Sequence, residues 1–310
     1  MSAVTALYAF NPAGFTMHTH HPLKHWVLLL ALTAMWGTAF MFIKLGVATV
    51  PPATLVASRL TIGAVLLYAV MRTRGLALPP LGRRWLPYIA LAVVGNSVPF
   101  YLISWGQQFI DSALAGILMA IMPLATMLLA HFFGTGERLT VNRAFGFLVG
   151  FAGIVVLMGP VALAGLGGSL VKATAQAAVL AGALCYAANS VMAQRLVAAD
   201  FLVASTAVLI VAGAMMVPFA LVLDHQWVLA PSVGSAAAIV WLGVGPTALA
   251  TLLYFRLIAS AGPTFMSIVN YLSPLVALLA GVLLLGEQPG VTAFAGLGLI
   301  LFGIALSRRR

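Results

Sequence analysis

The chain has 310 residues, 63% of them apolar and 6% charged, with a mean hydropathy of +1.12. No soluble domain of this length needs so much apolar surface, so the chain is an integral membrane protein. The net charge of +10 is scattered singly and in pairs between apolar runs, which excludes the continuous basic surface of a nucleic-acid binder and fits the orienting charges of a polytopic protein.

Residues 1–25, with Pro12, Gly14, His18, His20 and His21, are expected to be a disordered tail. They lack a basic start followed by an apolar stretch, so no cleaved signal peptide is read, and Met17 is an alternative start. The histidines have no second ligand cluster and read as solvated side chains rather than as a metal site. Ten apolar segments follow, at roughly 26–45, 54–72, 86–106, 112–133, 143–159, 173–194, 201–223, 235–257, 264–285 and 290–307. Each has about the twenty residues a helix needs to cross a ~30 Å hydrocarbon core, the last being shortest. Continuous apolarity without alternation favours helices over a barrel, since lipid cannot satisfy open backbone groups. Turn chemistry separates the segments at Pro51-Pro52, Pro79-Pro80, Gly134-Thr135-Gly136, Gly167-Gly168, Pro231, Gly262-Pro263 and Pro289-Gly290.

Polar and aromatic residues fall into stripes at helical spacing. The first segment carries Thr33, Trp36, Phe40 and Lys44, and the third Ser97, Tyr101, Trp105 and Gln108. The sixth carries Tyr186, Asn189, Ser190 and Gln194; the eighth Thr247, Thr251 and Tyr254; the ninth Ser267, Asn270, Tyr271 and Pro274. Facing lipid, such groups are costly, so the stripes point inward. Hydrogen bonding between helices explains single Ser and Thr residues; the stripes together suit a cavity for a small amphipathic solute.

Lys44 and Arg59 lie toward the ends of segments one and two, with no Asp or Glu inside any apolar segment. Both can snorkel to the interface. The sharper reading is that one of them meets the carboxylate of a substrate. The missing embedded carboxylate argues against a cationic-drug exporter and leaves energy coupling open. Cys185 is the single cysteine and lies in an apolar run, so no disulfide or thiolate cluster forms. With a cytoplasmic N-terminus, twelve Lys and Arg fall on inside faces against Lys172 alone outside, which puts both termini in the cytoplasm by the positive-inside rule.

The two glutamates occupy matching places. Glu137 follows Pro123 by fourteen residues and precedes Gly146 and Gly153 by nine and sixteen; Glu287 follows Pro274 by thirteen and precedes Gly296 and Gly303 by the same nine and sixteen. This coincidence marks an internal duplication of 26–160 and 173–307. Five crossings per copy force the second copy to insert upside down, which is the architecture of secondary transporters. Each glutamate is expected to begin a helix and complement its dipole, a structural role. The glycines of segments five and ten allow close packing, within one chain or in a homodimer. Pro99, Pro123, Pro246 and Pro274 are expected to kink the central helices. No nucleophile–base pair or phosphate loop appears, so the chain is not an enzyme, and no cofactor is called for.

The chain resembles the EamA-type proteins of the drug/metabolite transporter superfamily. The resemblance rests on Trp36-Gly37 followed by Lys44, on Ser58-Arg59-Leu60, on Pro123 through Gly136-Glu137-Arg138 to Gly146, and on Pro274 through Gly286-Glu287 to Gly296 and Gly303. It covers residues 26–307 and implies an all-α, ten-helix inner-membrane carrier with a central cavity. Members of known cargo include amino-acid and metabolite exporters, and no substrate residue is fixed across the family. The expected function is export of amino acids or similar metabolites. A nucleotide-sugar, organic-phosphate or drug carrier, or a non-transporting scaffold, are the alternatives. The copies differ where Lys44 is matched by Gln194.

Overall fold

A computed structural model describes residues 22–133, 141–164, 169–196, 200–224, 229–266 and 268–307. Glu137, Ser267 and the tail through His21 lie outside the described residues. Among those described, all regular structure is helical. We label α1 (Leu23–Gly46), α2 (Pro52–Thr73), α3 (Arg83–Gly106), α4 (Ser112–Phe132), α5 (Val141–Ala164), α6 (Ser169–Leu196) and α7 (Phe201–Leu223). The next, α8, runs from Val233–Leu242 through a π-helical stretch, Gly243–Leu249, into Ala250–Met266; α9 is Val269–Leu285 and α10 is Val291–Ser307. Within the described residues, seven stretches are long and apolar enough to cross a membrane: Leu23–Gly46, Pro52–Thr73, Arg83–Gly106, Ser112–Phe132, Leu170–Ala193, Phe201–Leu223 and Val233–Leu257. Ala144–Gly153, Leu272–Leu285 and Val291–Leu306 are shorter apolar stretches.

Local chemistry sets several helix ends. Pro52 starts α2 at a position where its missing N–H costs nothing. Asp200 caps α7 by accepting from Leu202 N at 2.8 Å, and Ser232 caps α8 by accepting from Ser235 N at 3.1 Å. Gly286 ends α9 with φ of 67°, a left-handed conformation that glycine takes without steric cost. One expectation is corrected: Gly262-Pro263 does not separate helices eight and nine. The helix continues through it to Met266, and the next helix begins at Val269. A proline removes one backbone hydrogen bond, and so near a helix end that loss is not enough to stop the helix.

Three of the internal prolines accompany distorted turns, while Pro274 lies within the continuous helix α9. Pro99 follows a π-helical turn at Val93–Ser97, Pro246 lies inside the π stretch of α8, and Pro123 follows a 3-10 turn at Met119–Ile121.

Four polar contacts gather helix ends on one face. Lys44 at the end of α1 reaches the end of α3, Thr54 at the start of α2 meets Asp224 at the end of α7, Thr49 meets Ser232 before α8, and Glu287 after α9 reaches the start of α4. Hence α2 runs antiparallel to α7, and α4 to α9. The main helix pairs are α5–α10, α2–α7, α1–α9, α3–α6, α1–α8, α4–α9, α4–α6, α2–α8 and α3–α7.

The glycines of α5 and α10 are used within the chain. A Cβ on Gly303 would stand 2.7 Å from Gly150 N, and one on Gly153 would stand 2.8 Å from the Gly296 carbonyl oxygen. The two backbones therefore touch, while Phe145, Leu148, Phe294 and Phe302 face outward. Gly303→Leu is expected to separate this pair and lower the apparent melting temperature of the purified protein by several degrees; an unchanged transition would mean that the crossing carries no stability.

Candidate substrate site around Arg59

Arg59 lies about two turns into α2 and is only 5% exposed. Burial of a guanidinium demands compensation, which an acid usually supplies. No carboxylate pairs with Arg59 among the described residues; the four described acids, Asp111, Asp200, Asp224 and Glu287, stand at helix ends. Its partners are neutral. Nε and Nη2 donate to Thr247 Oγ1 at 3.3 and 3.1 Å, and the guanidinium carbon lies 4.0 Å from the centre of the Phe100 ring. A cation over a ring in a dry place is worth about 2 kcal/mol, well short of what charge burial costs.

The π-helical segments shape this place. Pro246 has no N–H to offer the Leu242 carbonyl, and the Thr247 hydroxyl donates to that carbonyl at 2.7 Å instead. The Pro246 carbonyl accepts from Trp36 Nε1 at 3.3 Å. A chain of hydrogen bonds thus joins Arg59 through Thr247 to the distorted turn of α8. On the opposite side, Phe100 meets Tyr186 of α6 edge to face at 6.2 Å. One turn along α6, Asn189 packs directly over Gly95, inside the π-helical turn of α3. Among the described residues, the buried Ser97 Oγ and Asn189 Oδ1 have no hydrogen-bond partner. In a hydrocarbon-like interior such atoms are open positions for a ligand or water.

The other residues expected from sequence divide into groups. Trp36 and Tyr254 pair at 5.7 Å on the α1–α8 side. Tyr101 turns away to Phe219 of α7 at 5.4 Å, and Trp105 packs on Phe109 at 5.3 Å. Thr33, Ser190 and Thr251 donate to carbonyls four residues back in their own helices. Asn270 is half-buried in the first turn of α9; Tyr271 follows it, and its side chain lies outside the described residues, as does that of Gln194.

Lys44 is engaged elsewhere. Its Nζ donates to the Gln107 and Ile110 carbonyls at 2.9 and 2.8 Å, closing the C-terminal end of α3 where a cation is favoured. Gln107 Nε2 in turn donates to the Phe40 carbonyl at 2.9 Å. Glu287 also differs in detail from expectation. It lies before α10, which begins at Val291, and it caps α4 instead. Its Oε1 accepts from Ser112 N and Oγ, both at 2.8 Å, and its Oε2 from Ala113 N at 2.9 Å.

Comparison with known proteins settles the family. The EamA-like transporter family matches residues 24–159 and again 174–309. The chain belongs to that family. An EamA protein is a membrane transporter and not an enzyme, as the resemblance implied. A probable terminal-alkyne amino-acid exporter of Streptantibioticus cattleyicolor is 30% identical over 92% of this chain and 93% of its own. The Escherichia coli inner membrane transporter YedA, described as uncharacterized, is 27% identical over 90% of this chain and 88% of its own. A solved crystal structure at 23% identity covers 93% of this chain and 97% of its own with a TM-score of 0.66, which supports the fold.

Sequence reasoning singled out Arg59, Ser97, Tyr186 and Asn189 and put Thr247 in the stripe of the eighth segment, but it did not single out Phe100, which the structure brings to Arg59, or Gln107, which it brings to Lys44. Phe100 gives no polar signal, and the role of Thr247 as the acceptor for Arg59 appears only once the two helices are packed together.

Proposed function

We propose that this EamA transporter exports small amino acids across the inner membrane by alternating access, with Arg59 as the anchor for the substrate carboxylate. The carrying observation is the buried Arg59 guanidinium, which among the described residues has no acid partner and is held by Thr247 and Phe100. A carboxylate would relieve it by a charge-assisted, two-pronged hydrogen bond. The amino-acid exporter among the relatives supports both cargo and direction. A single cation suits a monocarboxylate better than a multiply charged phosphate. Counterflow in proteoliposomes tests the reading: neutral amino acids should exchange, and nucleotide sugars and organic phosphates should not. Exchange of the phosphates alone would replace it.

The mechanism we infer uses two inverted halves of five helices, 26–160 and 173–307, about a central site. Its support is the set of helix neighbours: exchanging α1–α5 with α6–α10 turns α1–α9 into α6–α4, α1–α8 into α6–α3 and α2–α8 into α7–α3, and leaves α2–α7, α4–α9 and α5–α10 unchanged. The matched π-helical turns of α3 and α8 add to it. With both termini cytoplasmic, Thr135→Cys and Gln288→Cys, each in a Cys185→Ser background, should react with an impermeant reagent from opposite sides. Labelling from one side would sink the inverted arrangement.

A further inference from the structure

At the end of the molecule away from Lys44, a groove of about 620 Å³ lies between the first turns of α1 and the last part of α8. Lys24 and Arg256 line it together with Leu23, Val27 and Leu28, and no acid is among the described lining residues. Helix length fixes its depth. Lys24 precedes Lys44 by twenty residues, and Arg256 follows Ser232 by twenty-four. At 1.5 Å per residue these are about 30 and 36 Å, so both cations reach the far edge of the hydrocarbon core at one level. Trp26 stands beside them, 41% exposed, with its ring edge-on to Phe265 at 5.0 Å, as an interfacial aromatic does. Leu23 is 79% exposed and Val27 57% exposed, so the apolar wall faces lipid.

We propose that this groove is a binding site for an anionic phospholipid, whose phosphodiester meets Lys24 and Arg256 while an acyl chain lies along Leu23 and Val27. The two chemistries occur together only in a charged lipid. A soluble phosphate has no use for the apolar wall, and the cationic headgroup of a zwitterionic lipid finds no acid. The distribution of Lys and Arg puts this edge in the cytoplasmic leaflet, where anionic lipids attract basic side chains. The site is separate from Arg59 and independent of the cargo.

Thermal unfolding and native mass spectrometry of the full chain in detergent test the proposal, with dioleoyl phosphatidylglycerol, dioleoyl phosphatidylcholine and inorganic phosphate as probes. Phosphatidylglycerol should bind about tenfold more tightly than phosphatidylcholine and raise the melting temperature, while phosphate should do neither. The double variant Lys24→Gln, Arg256→Gln should lose that preference with an unchanged melting temperature in detergent alone. Arg72→Gln, an exposed cation at the end of α2, should keep it. Equal binding of both lipids, a preference that survives in the double variant, or equal stabilisation by phosphate would overturn the proposal. So would a preference that appears only after residues 1–21 are deleted, since the tail would then be the occupant.

Discussion

Arg59→Gln is expected to weaken amino-acid exchange in proteoliposomes about 10- to 100-fold, the loss of one or two charge-assisted hydrogen bonds in a water-poor site. The matching amino alcohols, which lack the carboxylate, should change far less. Arg59→Lys should fall between, because it keeps the charge but loses the planar fork and the stacking on Phe100 at 4.0 Å. Stability should move the other way. A buried cation whose acceptor among the described residues is the Thr247 hydroxyl is a liability to the fold, and Arg59→Met is expected to hold or raise the melting temperature while flux falls. A residue kept for packing would lower both together. Equal loss for amino acids and amino alcohols, at equal amounts of folded protein, would remove the carboxylate from the argument.

The membrane class, the helical character and a close approach by segments five and ten were legible in the sequence, because each rests on composition or on spacing along one chain, whereas the partner in that approach was not. Gly146, Gly153, Gly296 and Gly303 announced a close approach, and the structure supplies the partner by laying the two helices on each other. What could not be read depends on distortion or on distant pairing. The π-helical turns at Val93–Ser97 and Gly243–Leu249 shift every later side chain relative to an ideal helix. A stripe drawn at spacings of three and four therefore groups Tyr101 with Ser97, although Tyr101 turns to α7. Lys44 and Arg59 look alike from the sequence, each a cation near a helix end without an acid. Only the fold brings the open carbonyls of Gln107 and Ile110 to Lys44 and leaves Arg59 between an aromatic ring and a threonine. Glu287 shows the same limit: a carboxylate that satisfies helix amides was foreseeable, but the helix it serves lies 175 positions away in sequence.

That long reach makes Glu287 the second large effect. From its own helix a first-turn glutamate would contribute about 0.3–1 kcal/mol. In the structure it accepts three hydrogen bonds at the start of α4, from Ser112 N, Ser112 Oγ and Ala113 N. The carboxylate is half-buried, and its backbone is fixed by Gly286 and by the Glu287 N–H donating to the Gly281 carbonyl at 3.0 Å. It therefore ties the α9–α10 connection to α4 across the two halves. Glu287→Ala leaves two helix amides without their acceptors and should cost about 1–3 kcal/mol, read as a lower melting temperature and less folded protein. Glu287→Gln keeps one acceptor oxygen and should cost less. Asp111→Asn is the control, since Asp111 is exposed beside the same helix end and its side chain makes no capping bond; it should change little. Flux per folded molecule should survive Glu287→Gln. If stability is untouched while flux disappears, the contact opens and closes during transport, and Glu287 is a gate rather than a tie.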